Sequence, residues 1–161
     1  GGMLALLEHP DQLAALAADP DRLPVAVEEL LRWVSPVKNM SRTVTTDVEL
    51  RGEQLREGDE VMLFYPSANR DEDVFAAPDT FDVRRDPNPH LAFGFGPHFC
   101  LGASLARLEL KVMFREVLTR LPDLELAPGK TLPLRPSNFV SGLEAMPVRF
   151  TPTPATATST A

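Results

Sequence analysis

The chain has 161 residues, of which 43% are hydrophobic, a formal net charge of −7 and one cysteine. This length and apolar content suit one domain with a core, and the negative charge argues against a nucleic-acid or anionic-membrane surface. The single cysteine excludes an internal disulfide framework and suits a reducing cytoplasm, and no apolar run approaches the roughly 18 residues of a membrane span.

The first part of the chain is predicted to be helical. Residues 1–19 indicate two short helices separated at His9-Pro10, because proline is poorly tolerated inside a helix. A further helix begins near Pro24, a favoured first-turn residue, and ends at Ser35-Pro36. Strand-like runs at 43–45, 48–51 and 60–65 then predict a small antiparallel sheet.

A meander with a short helix near 73–76 leads to the stretch FGFGPHFCLG, residues 93–102. The strongest predicted helix follows it and carries an apolar stripe of Leu101, Leu105, Leu108 and Val112, with Pro122 at its end. Short strands are predicted near 124–126, 132–134, 139–140 and 148–150. Residues 151–161 lack apolar content and are predicted to be disordered. The predicted fold class is mainly α with small antiparallel β-sheets (α+β), as one domain over residues 1–150.

Cys100 lies among three glycines and directly before the strongest predicted helix. Gly94, Gly96 and Gly102 permit tight turns or the close approach of a large flat group. Because the exposed amides and macrodipole of a helix N-terminus favour a negative group, we expect the thiolate form of Cys100 to be stabilised. A stabilised thiolate is a nucleophile or a metal ligand.

Other interpretations of Cys100 compete with a ligand role. A single cysteine is most often a small buried hydrophobe, and Cys100 with His98 could form a reactive-thiol pair. A dinucleotide loop would need glycine where Phe99 stands. A zinc site would need more ligands than one cysteine and one nearby histidine supply.

The pattern formed by Phe93, Gly96, His98, Cys100 and Gly102 resembles the heme-binding loop of the cytochrome P-450 family, the heme-thiolate monooxygenases. The resemblance implies that Cys100 is the axial iron ligand of heme b (iron protoporphyrin IX), that Phe93 shields its sulfur and that His98 binds a heme propionate. Gly94 to Gly96 would shape the thiolate side. The implied reaction inserts one oxygen atom of O2 into a C–H bond of a lipophilic substrate, with electrons from a ferredoxin or flavin reductase.

Two further features resemble the same family. By statistics alone Glu29 and Arg32, three residues apart on a helix, form a surface salt bridge worth about 0.3–0.5 kcal/mol. Their spacing and distance from the cysteine loop nevertheless resemble the family's second fixed motif, which implies a structural triad with Arg85, although Arg84 is adjacent. Arg42 reads either as a solvated strand-edge residue or, because bacterial members carry an arginine at the equivalent place, as a partner of a heme propionate, and the resemblance favours the second interpretation.

The resemblance also implies a substrate pocket between residues 35–41 and 139–143. The apolar side chains expected to line it are Val34, Val37, Met40, Phe139, Val140 and Leu143. The amino-acid sequences of these segments resemble those of the actinobacterial branch that hydroxylates the side chain of cholesterol-like sterols. A basic helix side carrying Arg107, Lys111, Arg115 and Arg120 is a candidate docking surface for an acidic redox protein, although for Lys111 and Arg120 a solvated helix face is the favoured interpretation.

The resemblance covers about 150 residues and implies the C-terminal part of the P-450 fold. The chain starts with Gly1-Gly2 rather than methionine, and with the family comparison this start leads us to expect a fragment. The proton-delivering residues would then lie in an N-terminal part before Gly1, and we expect no turnover by the chain alone. Two alternatives stay open: a non-catalytic heme-binding remnant and a cysteine-based peroxidase.

Overall fold

The computed structural model describes residues 1–152, so most of the predicted disordered tail, residues 153–161, lies outside the described part. The helices are α1 (Gly2–Glu8), α2 (Pro10–Ala18), α3 (Leu23–Val34), α4 (Tyr65–Ala68) and α5 (Ala103–Arg120). The strands are β1 (Asn39–Thr43), β2 (Val48–Leu50), β3 (Glu53–Leu55), β4 (Glu60–Phe64), β5 (Glu125–Leu126) and β6 (Val148–Arg149). The predicted α+β class is confirmed.

The helix boundaries follow local signals in the sequence. Pro10 opens α2, and the His9 ring contacts the Ala5 carbonyl through Nδ1 at 2.7 Å where α1 ends. Helix α3 ends at Ser35, which has a left-handed φ of 43° and donates its N–H to the Leu31 carbonyl. The predicted helix boundaries at His9-Pro10 and at Ser35-Pro36 are therefore confirmed.

The strands form three separate antiparallel pairs within the described residues: β1 with β4, β2 with β3, and β5 with β6. The first strand was predicted at 43–45, but β1 ends at Thr43 and begins at Asn39, so that placement is wrong. The reason is the pairing itself, because residues 39–43 lie opposite residues 60–64, with Arg42 opposite Val61.

Three other local predictions are wrong. Residues 73–76 form turns rather than a helix, because Asp71 accepts the Asp73 N–H on its side chain and the Phe75 N–H on its carbonyl, and Phe75 is buried. The predicted strands at 132–134 and 139–140 form only single bridges, Leu134 with Leu143 and Val140 with Val37.

The hydrophobic core lies where α1, α2, α3 and α5 meet the segment after β4. It is formed by buried apolar side chains that include Leu6, Leu16, Leu23, Leu30, Phe81, Val83 and Phe114. Helix α3 contacts both α1 and α5, so its side chains reach the core on one side and the cysteine loop on the other.

The predicted apolar stripe of helix α5 faces solvent and not the core. The predicted apolar stripe is present, but Leu105, Leu108 and Val112 are 59%, 54% and 54% exposed, and Leu101 is fully exposed. Phe114 and Ala103 instead face the core. A row of leucines at helical spacing thus has no covering element among residues 1–152.

Candidate cofactor-binding cleft

An apolar cleft of about 530 Å³ opens between the end of α3, strand β1 and the cysteine loop. Cofactor and ligand sites commonly have volumes of about 300–1,000 Å³ and apolar walls with a few polar groups. The cleft is lined by Leu31, Pro36, Val37, Met40, Arg42, Tyr65, Ala92, Phe93, Gly94, His98 and Cys100.

The loop before α5 presents the Cys100 thiol to this cleft. Cys100 is exposed, its N–H donates to the Phe93 carbonyl at 3.0 Å, and its own carbonyl accepts the Ala103 N–H. Gly94 and Gly96 have φ values of 74° and 73°, a region that side chains disfavour. The two glycines therefore let the chain reverse direction around the sulfur.

Two polar side chains lie at the cleft beside Cys100. His98 belongs to the short 3-10 helix Gly96–His98, and Arg42 projects from β1 with Nη1 donating to the Ser41 carbonyl at 2.7 Å. Both are exposed, and Arg42 is the one permanently charged residue among the cleft-lining residues. This arrangement suits a flat apolar ligand that carries negative groups at its edge.

The predicted substrate wall is brought together only in part. Val37 and Met40 line the cleft, whereas Phe139 and Val140 do not. The segment that carries them runs alongside the end of α3, because the Lys38 N–H donates to the Phe139 carbonyl at 2.8 Å. Val34 and Leu143 line a separate depression beside α1.

Glu29, Arg32 and Arg85 meet in one ion-pair cluster. Arg32 donates from Nε and Nη2 to the two Glu29 oxygens at 2.7 and 2.8 Å, and Arg85 Nε donates to Glu29 at 3.2 Å. Glu29 and Arg32 are both 0% exposed, so they do not form the surface salt bridge that spacing statistics favour. Arg84 lies outside the cluster and is exposed.

The cluster ties α3 to the meander. Arg32 Nη1 donates to the carbonyls of Asn69 and Pro78, and Glu29 also accepts the Asp82 N–H and the Asn88 side-chain amide. These hydrogen bonds hold in place the irregular segment that follows α4, which forms no helix or strand over residues 69–95. The meander in turn delivers the chain to the cysteine loop.

Asn69 is a buried contributor that the sequence did not reveal. Its side chain donates to Ser35 Oγ at 2.8 Å and accepts the Leu91 N–H at 2.7 Å. It therefore connects the end of α3 with the start of the cysteine loop. An asparagine in the irregular stretch after Tyr65 carries no sequence signal of this long-range role.

A second charged cluster was also missed, and it centres on Glu28. Arg107 donates to the two Glu28 oxygens at 2.7 and 2.8 Å, and His90 Nε2 lies 3.0 Å from Glu28 Oε2. Burial raises the pKa of Glu28, but the hydrogen bonds from His90 and Arg107 outweigh it and lower the pKa to about 2. The sequence placed Arg107 on a candidate docking surface, whereas the structure pairs it with Glu28.

The described part of the chain has neither a cluster of metal-ligating side chains nor a membrane-spanning helix. Among residues 1–152, no three His, Cys, Asp or Glu side chains are grouped so that they could hold a metal ion. Over the same residues no helix has both the length and the apolar character to cross a membrane.

Comparison with known proteins gives several close similarities. The sequence profile described as Cytochrome P450 matches residues 22–150. Over 152 residues the chain is 60% identical to a steroid C26-monooxygenase of Mycolicibacterium smegmatis, a match that covers 94% of the chain and 38% of that protein. Over 153 residues it is 50% identical to a methyl-branched lipid omega-hydroxylase of Mycobacterium bovis, covering 92% of the chain and 35% of that protein.

A solved structure is similar over the same region. The crystal structure of CYP109E1 from Bacillus megaterium in complex with testosterone superposes with a TM-score of 0.90 at 40% identity, covering 92% of the chain and 41% of that structure. The chain therefore spans 35–41% of the length of these three proteins.

Proposed function

Because the chain belongs to the cytochrome P450 family, we propose that it forms the heme-binding, C-terminal part of a monooxygenase, with Cys100 as the iron ligand. When bound, a heme b with a thiolate ligand supplies the chemistry that inserts one oxygen atom of O2 into a C–H bond. The observation that carries this proposal is the meeting of Cys100, Phe93, His98 and Arg42 in one apolar cleft.

The residues of the cleft divide the binding work between them. Cys100 would supply the single sulfur ligand, and Phe93 would shield it. Arg42 and His98 would hold the propionate groups of the heme. A Cβ added at Gly94 would lie 3.4 Å from the Tyr65 hydroxyl, and one added at Gly102 would lie 3.9 Å from Cys100 Sγ, so glycine at both positions leaves space in the loop.

The proposed substrate is lipophilic, and we infer a sterol side chain. The apolar wall formed by Leu31, Val37 and Met40 suits a hydrocarbon chain. The similarity to a steroid C26-monooxygenase supports the sterol in preference to other lipids. We assign Phe139 and Val140 to the more distant end of the same pocket, next to Val37.

The remaining part of the fold is proposed to cover α5 and to complete the site. The chain corresponds to 38% of its Mycolicibacterium relative, and the exposed leucine row on α5 is a surface of the kind that a further helix buries. That part would bring the proton-delivering residues, and the isolated chain is therefore proposed to be inactive. A ferredoxin or flavin reductase in the cytoplasm would supply electrons.

The first test is a carbon-monoxide difference spectrum of the chain after heme addition and reduction. A red-shifted, thiolate-type band that is lost in Cys100→Ser and kept in Ser104→Ala is the expected result. Ser104 is a matched control because it is exposed and lies on the first turn of α5. A band unaffected by Cys100→Ser would overturn the ligand assignment.

The second test joins the chain to its missing context. In a chimera, this chain replaces the matching 152-residue stretch of the Mycolicibacterium relative. We expect the chimera, supplied with reductase and a steroid, to form hydroxylated product while the isolated chain forms none. Turnover by the isolated chain would contradict its proposed inactivity, and an inactive chimera that binds heme would favour the non-catalytic remnant.

One observation keeps a second candidate function open: Cys100 is an exposed thiol that shares its cleft with His98. This pair is the chemistry of a cysteine-based peroxidase. Alkylation of Cys100 by a small electrophile separates the two functions. Protection of the thiol by heme supports iron ligation, whereas peroxide consumption without heme supports the peroxidase.

A further inference from the structure

Glu28 connects two helices on the protein side of the cysteine loop. From α3 it accepts two hydrogen bonds from Arg107 on α5, in the bidentate geometry that makes arginine–carboxylate pairs strong. The pair is partly shielded, with the Glu28 and Arg107 side chains 27% and 31% exposed. Its position therefore depends on the packing of α3 against α5.

Arg107 also lies over the ring of Phe93. The guanidinium carbon is 4.7 Å from the ring centroid, which is a cation–π distance, and the Phe99 ring packs edge-on against Phe93 at 6.3 Å. The Phe93 carbonyl accepts the Cys100 N–H at 3.0 Å. A continuous chain of contacts thus runs from Glu28 through Arg107 and Phe93 to Cys100.

His90 fixes the same assembly from the other end of the loop. Its side chain is 2% exposed, and its Nδ1 accepts the Ala92 N–H at 3.2 Å. Because Nδ1 is an acceptor, the ring proton lies on Nε2, which donates to Glu28. The His90 ring also lies 6.3 Å from the Phe93 ring.

The loop has few other anchors. All residues from 95 to 102 are exposed, and Gly94 and Gly96 allow the backbone wide freedom. The half-buried Phe93 ring is therefore the side chain through which this stretch is held to the helices. Whatever orients Phe93 also sets the position of the Cys100 amide.

We propose that Glu28, Arg107 and His90 act as positioning residues that clamp Phe93 and thereby hold Cys100 in place to ligate the heme iron. The heme part of this inference rests on the proposed function. The other part of the inference, that these residues keep the cysteine loop ordered, applies to the chain without heme.

The clamp also has an electrostatic signature. The intact pair is neutral overall, so Arg107→Gln leaves the negative charge of Glu28 without its arginine partner, and Glu28→Gln leaves the positive charge of Arg107. Added negative charge disfavours the reduced iron and added positive charge favours it. The two variants are therefore expected to shift the reduction potential of the iron in opposite directions. We expect each shift to be no larger than about 59 mV, which corresponds to a tenfold change in the one-electron equilibrium.

The test uses the full chain with Arg107→Gln, Glu28→Gln and Arg107→Lys. The control is Arg22→Gln, which breaks a pair with Asp19 in which both side chains are about half exposed. Amide hydrogen exchange at Cys100 is measured first, without heme. We expect about tenfold faster exchange in the Gln variants, an intermediate rate in Arg107→Lys, which keeps the charge but loses the planar fork, and no change in the control.

The same proteins are then loaded with heme, and the thiolate-type carbon-monoxide band and the reduction potential are recorded. Unchanged exchange at Cys100 in both Gln variants overturns the clamp. Faster exchange with no thiolate band even in the wild-type chain leaves the clamp in place and overturns heme ligation by this chain. If every clamp variant, including Arg107→Lys, fails to fold by circular dichroism, the cluster is core structure and the positioning role is overturned.

Discussion

Replacement of Glu29 by glutamine is expected to destabilise the fold more than any surface change. The glutamine amide keeps the shape of the side chain but removes its negative charge and turns one acceptor into a donor that faces Arg32. Arg32 is 0% exposed and cannot reach water. The substitution therefore leaves a buried, uncompensated guanidinium.

The size of the effect follows from this burial. Removal of one partner from a buried ion pair costs about 3–5 kcal/mol, whereas exposed pairs contribute about 0–1 kcal/mol. The Asp82 N–H and the Asn88 amide also lose part of their acceptor, which adds to the cost. Against a domain stability of about 5–15 kcal/mol, the variant is expected to lose roughly a fifth or more of the free energy of unfolding.

Urea denaturation of the full chain, followed by circular dichroism, measures this loss. Arg84→Gln is the matched control because Arg84 is exposed and adjacent to Arg85, and its effect should stay within about 0.5 kcal/mol. Arg85→Gln should fall between the two, since Arg85 is 11% exposed and also donates to backbone carbonyls. A Glu29→Gln free energy of unfolding within about 1 kcal/mol of wild type would refute the reasoning.

Two further predictions concern acid stability and the exposed face of α5. The Glu28 pKa of about 2 lies below its ordinary value of 4.5, so the stability that Glu28 contributes is complete above pH 4.5 and is lost as the pH falls toward 2. The unfolding midpoint of the wild type should accordingly drop more steeply over that range than the midpoint of Glu28→Gln, and parallel curves would contradict this linkage. Leu105→Glu and Leu108→Glu should change the stability of the isolated chain by less than about 0.5 kcal/mol, since both side chains are exposed, yet should prevent steroid hydroxylation by the chimera. Glu109→Lys, an exposed change off the stripe, should leave that turnover intact, and an active Leu108→Glu chimera would show that the leucine row is not covered there.

Several features of the fold follow from short stretches of sequence. Pro10, Pro24 and Ser35-Pro36 set helix boundaries that the structure has within a residue or two, because proline acts on the residues beside it. The turn at 73–76 was misjudged as a helix, since its conformation depends on side-chain and backbone acceptors of Asp71 rather than on helical periodicity.

The candidate site divides in the same way. The sequence identified Cys100, His98 and the nearby glycines as one motif because all of them fall within residues 93–102. Arg42 joins them across the cleft, and its role in binding remains a prediction. Glu28 and His90 escaped sequence analysis because each reads alone as an ordinary helix or loop residue.

Fold class, the main helices and the pattern of the cysteine loop were predictable along the chain, since they depend on periodicity and on neighbouring residues. The folded molecule was needed to show that Glu29 contacts Arg85 and not Arg84, that Arg107 pairs with Glu28, and that the α5 leucines are exposed. Ion pairing and burial depend on which distant segments pack together. Residues side by side in the sequence, such as Arg84 and Arg85, can therefore have opposite surroundings.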